Sequence, residues 1–190
     1  MNGIVVGWAR RFGLGACSVA FAAVAEPVAG QGRDIQPHEW QALSPICQAV
    51  FKGEGTRKER LAPFAYELEG SCGIHHTCNG ELAFLRFSRM PASPPGAAND
   101  RARQRHRTQR NGLLQKAVNE YGYEARCATP HYPLLPRILT ERGKALSLQG
   151  NHAAAMKDFS RALEINPGYN PARQGMAQAQ ARMIAPKPQR

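Results

Sequence analysis

The sequence predicts an all-α chain, a short stack of antiparallel helical hairpins closed by a C-terminal capping helix. Three observations predict it. Between residues 136 and 167, Leu139, Gly143, Leu146, Ala155, Phe159, Ala162 and Pro167 form two apolar stretches joined by Gly150-Asn151. Small residues in both stretches let two helices cross closely, and Gly-Asn tolerates the positive φ of a sharp turn. From Gly73 to Met90, Ile74, Cys78, Leu82 and Leu85 recur at three- and four-residue spacing, the period of an amphipathic helix. Asn170 to Ile184 then mixes Met176, Ala177, Ala181 and Met183 with polar Gln residues, which suits a helix that ends a stack.

Composition bounds the alternatives. The 190 residues include 25 Lys plus Arg against 14 Asp plus Glu, a formal net charge of +11. With 43% hydrophobic and 21% charged residues, the chain is globular and large enough for one core. No apolar run reaches the roughly 18 to 20 residues of a membrane-spanning helix, which excludes a multi-pass membrane protein. The excess of base points to an acidic partner without choosing its kind.

Residues 1–25 have the layout of a secretory signal. Arg10 and Arg11 precede fourteen uncharged residues, Phe12 to Ala25, which end in Ala23-Val24-Ala25, the small-x-small pattern cut by signal peptidase. Cleavage there removes Cys17 and leaves Cys47, Cys72, Cys78 and Cys127, with 23 basic and 14 acidic residues. An exported chain meets an oxidising compartment, so disulfides are open to it. Export also argues against nucleic acid as the partner.

The elements follow in order. Residues 26–34, rich in Gly, Pro and Ala, read as a flexible lead-in, and 35–90 as a helical segment carrying a Cys/His motif. Within it, Gln36 to Leu43 forms a short helix, and Ser44-Pro45 restarts a second one that Gly53 ends. The polar stretch GEGTRKER reads as loop. Residues 91–110, PASPPGAANDRARQRHRTQR, bring three Pro and then five Arg, cannot bury apolar area, and read as a disordered loop. Were that loop extended, Arg101, Arg103, Arg105 and Arg107 would share one side and could follow an anionic polymer or lipid. A solvated loop is the simpler reading. Residues 111–135 read as a helix capped by Asn111, with Leu114, Ala117 and Tyr121 on its apolar side, and a Pro-rich turn. Residues 136–169 form the hairpin described above, 170–184 the cap helix and 185–190 a tail.

The segment 136–169 resembles a tetratricopeptide repeat, a helical hairpin of about 34 residues. With Pro136 as position one, Leu139 stands at four, Gly143 at eight, Leu146 at eleven, Ala155 at twenty, Phe159 at twenty-four, Ala162 at twenty-seven and Pro167 at thirty-two. Arg142 departs from the family at position seven, where Leu is usual. Ala117 and Tyr121 fit positions twenty and twenty-four of a degenerate preceding repeat, with the helix at 74–90 as its partner. The family's hairpins bind protein or peptide segments along a groove lined by their first helices. Carried over, that groove consists of Arg137, Thr140, Lys144 and Ser147, continued by Gln174 and Gln178. Its cations favour an acidic segment. The family's chaperone-tail clamp needs Lys at position five and Asn at nine, and Thr140 and Lys144 stand there instead. The resemblance implies a non-enzymatic adaptor with no cofactor and no catalytic residue.

The segment SCGIHHTCNG offers a second reading. Cys72, His75 and Cys78 are a zinc-type donor set, with His76, His106 or Cys127 as a fourth ligand, in a metal-binding or redox protein that uses the hairpin as scaffold. Haem attachment is excluded because Cys-x-x-Cys-His is absent. Cys78 and Cys47 on the apolar sides of their helices also suit a disulfide, and free buried thiols are a third possibility. The layout Pro45-Ile46-Cys47 followed by His75-His76-x-Cys78-x-Gly80 is similar to exported bacterial tetratricopeptide-repeat proteins. That resemblance implies a Cys47–Cys78 bridge, leaving Cys72–Cys127 as the remainder, and a periplasmic location.

Overall fold

Local sequence sets most helix boundaries. The structure, a computed structural model, describes residues 34–96 and 99–184. The expected signal, most of the lead-in and the tail lie outside the described residues. Helix α1 spans Pro37–Ala42, α2 Pro45–Phe51, α3 Arg57–Leu61, α4 Ile74–Arg89, α5 Asp100–Cys127, α6 Leu135–Leu148, α7 His152–Ile165 and α8 Asn170–Ile184. Pro37, Pro45 and Pro136 stand in the first turns of α1, α2 and α6, where the missing N–H costs nothing. Between α6 and α7, Gly150 adopts φ 86° and the Asn151 side chain accepts from Ala154 N. At the far end of α7, Pro167 follows the C-cap Asn166.

Two expected loops are helical over part of their length, at 57–60 and 100–110. In GEGTRKER, Thr56 and Glu59 form a reciprocal capping box that starts α3, so a polar stretch without a buried side still turns helical. The larger correction concerns residues 91–110. Helix α5 begins at Asp100, capped by the Asn99 side chain, which accepts from Ala102 N at 2.9 Å; Asn111 lies inside the helix and does not cap it. Low apolar content points to disorder when the sequence is taken alone, but exposure does not preclude helix. Residues 111–127 are already held by packing, so extending the helix backwards adds turns without a new nucleation cost. Ala, Arg and Gln favour those turns, and Asp100 suits the positive end of the helix. On a helix, alternate residues lie about 200° apart, so Arg101, Arg103, Arg105 and Arg107 do not share one side. Arg110 donates to Pro91 O at 2.9 Å and its guanidinium lies 4.3 Å above the Phe87 ring.

Helices α4 and α5 form one hairpin and α6 and α7 the next; α5 packs on α6, and α8 packs on both α6 and α7. Both hairpins repeat one packing device. A Cβ on Gly143 would sit 2.7 Å from the Phe159 ring, and one on Gly80 would sit 3.0 Å from the Tyr121 ring. Each first helix thus carries a glycine against which an aromatic residue of its second helix lies flat.

Arg142, the departure at position seven, has its own partner. Its Nε donates to Asp158 Oδ2 at 2.7 Å and its NH2 to Oδ1, with the two side chains 19% and 7% exposed. A bidentate pair thus stands where the family usually places Leu. Asp158→Ala is expected to cost about 3 kcal/mol, because a half-buried guanidinium is left without its partner. The double variant Arg142→Leu with Asp158→Ala should recover part of that loss in urea unfolding. If it recovers nothing, the pair is not the source of the cost.

The N-terminal helices form a second apolar cluster. Leu43, Ile46, Cys47 and Phe51 meet Ile74, Cys78 and Leu82 of α4, while Ala83 and Phe87 of α4 belong to the core of the hairpin stack. Helix α4 is therefore buried on two sides. Polar ties reinforce this seam. Arg86 Nε donates to Glu39 Oε1 at 2.7 Å, and that hydrogen bond holds the Glu39 carboxyl below its ordinary range. Glu81 accepts from Ser44 Oγ and from Arg137 NH2, both at 2.9 Å, and so links α2 to α6.

Candidate functional site

Alternate helices α4, α6 and α8 line one side of the stack, and a cleft of about 160 Å³ opens between them. Phe159 and Gly175, both buried, lie beneath it. Phe84 of α4 and Leu148 of α6 give it apolar walls, while Lys144, Ser147, Gln178 and Arg182 supply polar groups. No carboxylate lines it. Its volume is below the roughly 300 Å³ at which small-molecule and cofactor pockets begin. It suits one anchoring side chain or a chain terminus.

The expected groove residues divide. Lys144, Ser147 and Gln178 line this cleft. Lys144 Nζ lies 2.8 Å from Glu141 Oε1 with its side chain 37% exposed, so a ligand carboxylate can reach it. Ser147 is nearly buried, within 3.2 Å of His152 Nδ1, and accepts from Arg182 NH1 at 3.4 Å. Gln174 is exposed on α8 outside the cleft lining. Arg137 is turned to Glu81. Thr140 corrects the expectation outright. It is 0% exposed, and its hydroxyl donates to Pro136 O at 2.8 Å within its own helix. At position five a short hydroxyl side chain satisfies itself on the preceding turn instead of facing solvent.

Sequence reasoning missed Arg182, Phe84 and Leu148. Arg182 follows Gln178 by one helical turn on α8, so the groove line through Gln174 and Gln178 would have reached it if continued. Phe84 is half-buried on α4, and only the tertiary structure shows that it borders the cleft.

The cysteines pair as the resemblance implied. Cys47 and Cys78 stand at disulfide distance with Cα atoms 5.1 Å apart, and Cys72 and Cys127 do so at 5.7 Å. Disulfides persist in oxidising compartments. Among the described residues, no helix is long and apolar enough to cross a membrane. The expected metal set of Cys72, His75 and Cys78 is not formed. Cys78 faces α2 and pairs with Cys47, whereas Cys72 lies before α4 and pairs with Cys127 at the end of α5. The proposed fourth ligands also separate: His76 Nδ1 lies 2.7 Å from Glu120 Oε2, and His106 is on the basic stretch of α5.

Residues 136–169 match the tetratricopeptide repeat family. No curated protein and no solved structure matches the chain. The repeats of this family are scaffolds for protein–protein interaction and are typically not enzymes. With the family match, the Gly143–Phe159 packing and the hairpin of α6 and α7 in agreement, residues 136–169 are a tetratricopeptide repeat.

Proposed function

We infer that the chain is an exported, non-enzymatic adaptor that binds an acidic protein or peptide segment in the cleft between α4, α6 and α8. One observation carries this reading. The cleft lies on the first-helix side of the repeat, and its charged lining consists of Lys144 and Arg182 with no carboxylate. A carboxylate side chain or chain terminus entering there would meet Arg182 and Lys144, the latter shared with Glu141, beside the apolar Phe84 and Leu148, which favours charge-assisted hydrogen bonds. The two cysteine pairs and the signal-like N-terminus support export to an oxidising compartment such as the bacterial periplasm.

The test starts from a partner captured by crosslinking in the native compartment. Lys144→Glu is expected to weaken that partner about tenfold or more, or roughly 1.4 kcal/mol per factor of ten. Helical content should be unchanged, since a like-charge neighbour at Glu141 costs only about 0.2–0.5 kcal/mol. A partner that binds the variant as tightly as the parent would move the binding face elsewhere.

A further inference from the structure

The two cysteine pairs differ in their surroundings. Cys47 and Cys78 are each 0% exposed and belong to the N-terminal core. Cys72 and Cys127 are exposed, yet between them and the core sits Glu124, which is 0% exposed. Glu124 stands one helical turn before Cys127 on α5, so both project from one side of the helix. Cys72 comes from the loop that precedes α4, and its Sγ lies 3.7 Å from Glu124 Oε2. The other carboxylate oxygen accepts from Ser71 Oγ at 2.5 Å. The two sulfurs and the carboxylate oxygen all fall within 4.8 Å of one another. Among the described residues Glu124 forms no ion pair. Buried charges of that kind are usually paired and hydrogen-bonded or coordinate a metal.

We propose that Cys72, Cys127 and Glu124 form a redox-gated site for a thiophilic divalent cation of the zinc type. In the oxidised chain the two sulfurs are bonded to each other and offer no thiolate. A dithiol reductant gates the site: its two S–H groups pass two electrons and two protons to the Cys72–Cys127 bond. That bond breaks into two thiols, and the reductant closes to its own disulfide. Binding of the cation then displaces the two thiol protons and leaves two thiolates and one carboxylate around it. This is a three-ligand set with a fourth position open to solvent. Tetrahedral zinc with Zn–S near 2.3 Å needs its sulfurs about 3.8 Å apart, a spacing that two cysteines can take with Cα atoms 5.7 Å apart. The buried Cys47–Cys78 pair is shielded from the reductant, so the core keeps its crosslink while the outer pair changes partner. This site is independent of the cleft and of the adaptor reading.

The test uses the full chain, treated with a mild dithiol until two free thiols are titrated, cleared of reductant, and titrated anaerobically with Zn²⁺ alone and Co²⁺ alone against a chromogenic chelator. One equivalent is expected to bind the two-thiol form at least about 100-fold more tightly than the oxidised form, with a thiolate-to-cobalt charge-transfer band. Glu124→Gln removes a ligand and should weaken zinc by about 100-fold or more, beyond the roughly 10–100-fold lost with an outer-shell partner. Because Glu124 is buried, the exposed Cys72→Ser is the second variant, and it should abolish tight binding while the helical signal stays that of the parent. Equal binding by oxidised and two-thiol protein, or undiminished affinity in Cys72→Ser, would overturn the proposal.

Discussion

Phe159→Ala is expected to lower the unfolding free energy by about 3–5 kcal/mol, the usual cost of emptying an aromatic site in a closed core. The ring is 0% exposed and wedged between two glycines. A Cβ added at Gly143 would come within 2.7 Å of it, and one at Gly175 within 2.5 Å. Helices α6, α7 and α8 therefore meet at one ring, so its loss leaves a void that three backbones border. The converse change overfills the same space. Gly143→Ala and Gly175→Ala should each cost about 1–3 kcal/mol, since the methyl has to displace an aromatic ring. The strongest test is coupling, because residues in contact are not additive. Phe159→Leu combined with Gly175→Ala should cost clearly less than the sum of the single variants in urea unfolding followed by helical circular dichroism. Strict additivity would show that the ring and the glycine do not share this space. The cleft should respond as well, since Phe159 lies beneath it.

Replacing Cys47 and Cys78 together by Ala is expected to cost about 3–4 kcal/mol. The chain-entropy account gives that size for a crosslink spanning 31 residues. The loss should also be local. Helices α1 and α2 are held to α4 by this bridge, by the Glu39–Arg86 pair and by the bond from Ser44 to Glu81. Their apolar cluster is separate from that of the hairpin stack. Hydrogen exchange should therefore quicken in α1 and α2 while α6 and α7 keep their protection, as expected when one cooperative unit opens before another. A uniform rise in exchange along the chain would mean that the two clusters unfold together.

Legibility in the sequence followed the range of the interactions involved. Gly143, Ala155 and Phe159 were readable because a repeat writes its packing at fixed offsets within one segment. The turn at Gly150-Asn151 and the start of α2 at Ser44-Pro45 are equally local. Ser44 illustrates the limit, since it stands at the expected cap position while its hydroxyl donates to Glu81, 37 residues on. Residues 100–110 illustrate another. Their helix depends on the packed turns that follow them, so a window confined to the segment reads its polarity as disorder. Thr140 shows that a family position does not by itself make a side chain available, since it is buried and bonded within its own helix.

By itself the sequence determined the all-α class, the repeat at 136–169 and the helix that follows it. These rest on periodicities and caps in which the interacting residues are neighbours along the chain. Tertiary structure alone decided which expected groove residues meet, bringing Lys144, Ser147 and Gln178 together with Arg182 and turning Arg137 aside to Glu81. It also separated Cys72 from Cys78 and set Cys72 beside Glu124 and Cys127. The physical reason is distance along the chain. Cys72 and Cys127 are 55 residues apart, and what joins them is the docking of α4 against α5, an interaction of whole helix faces that no local pattern encodes.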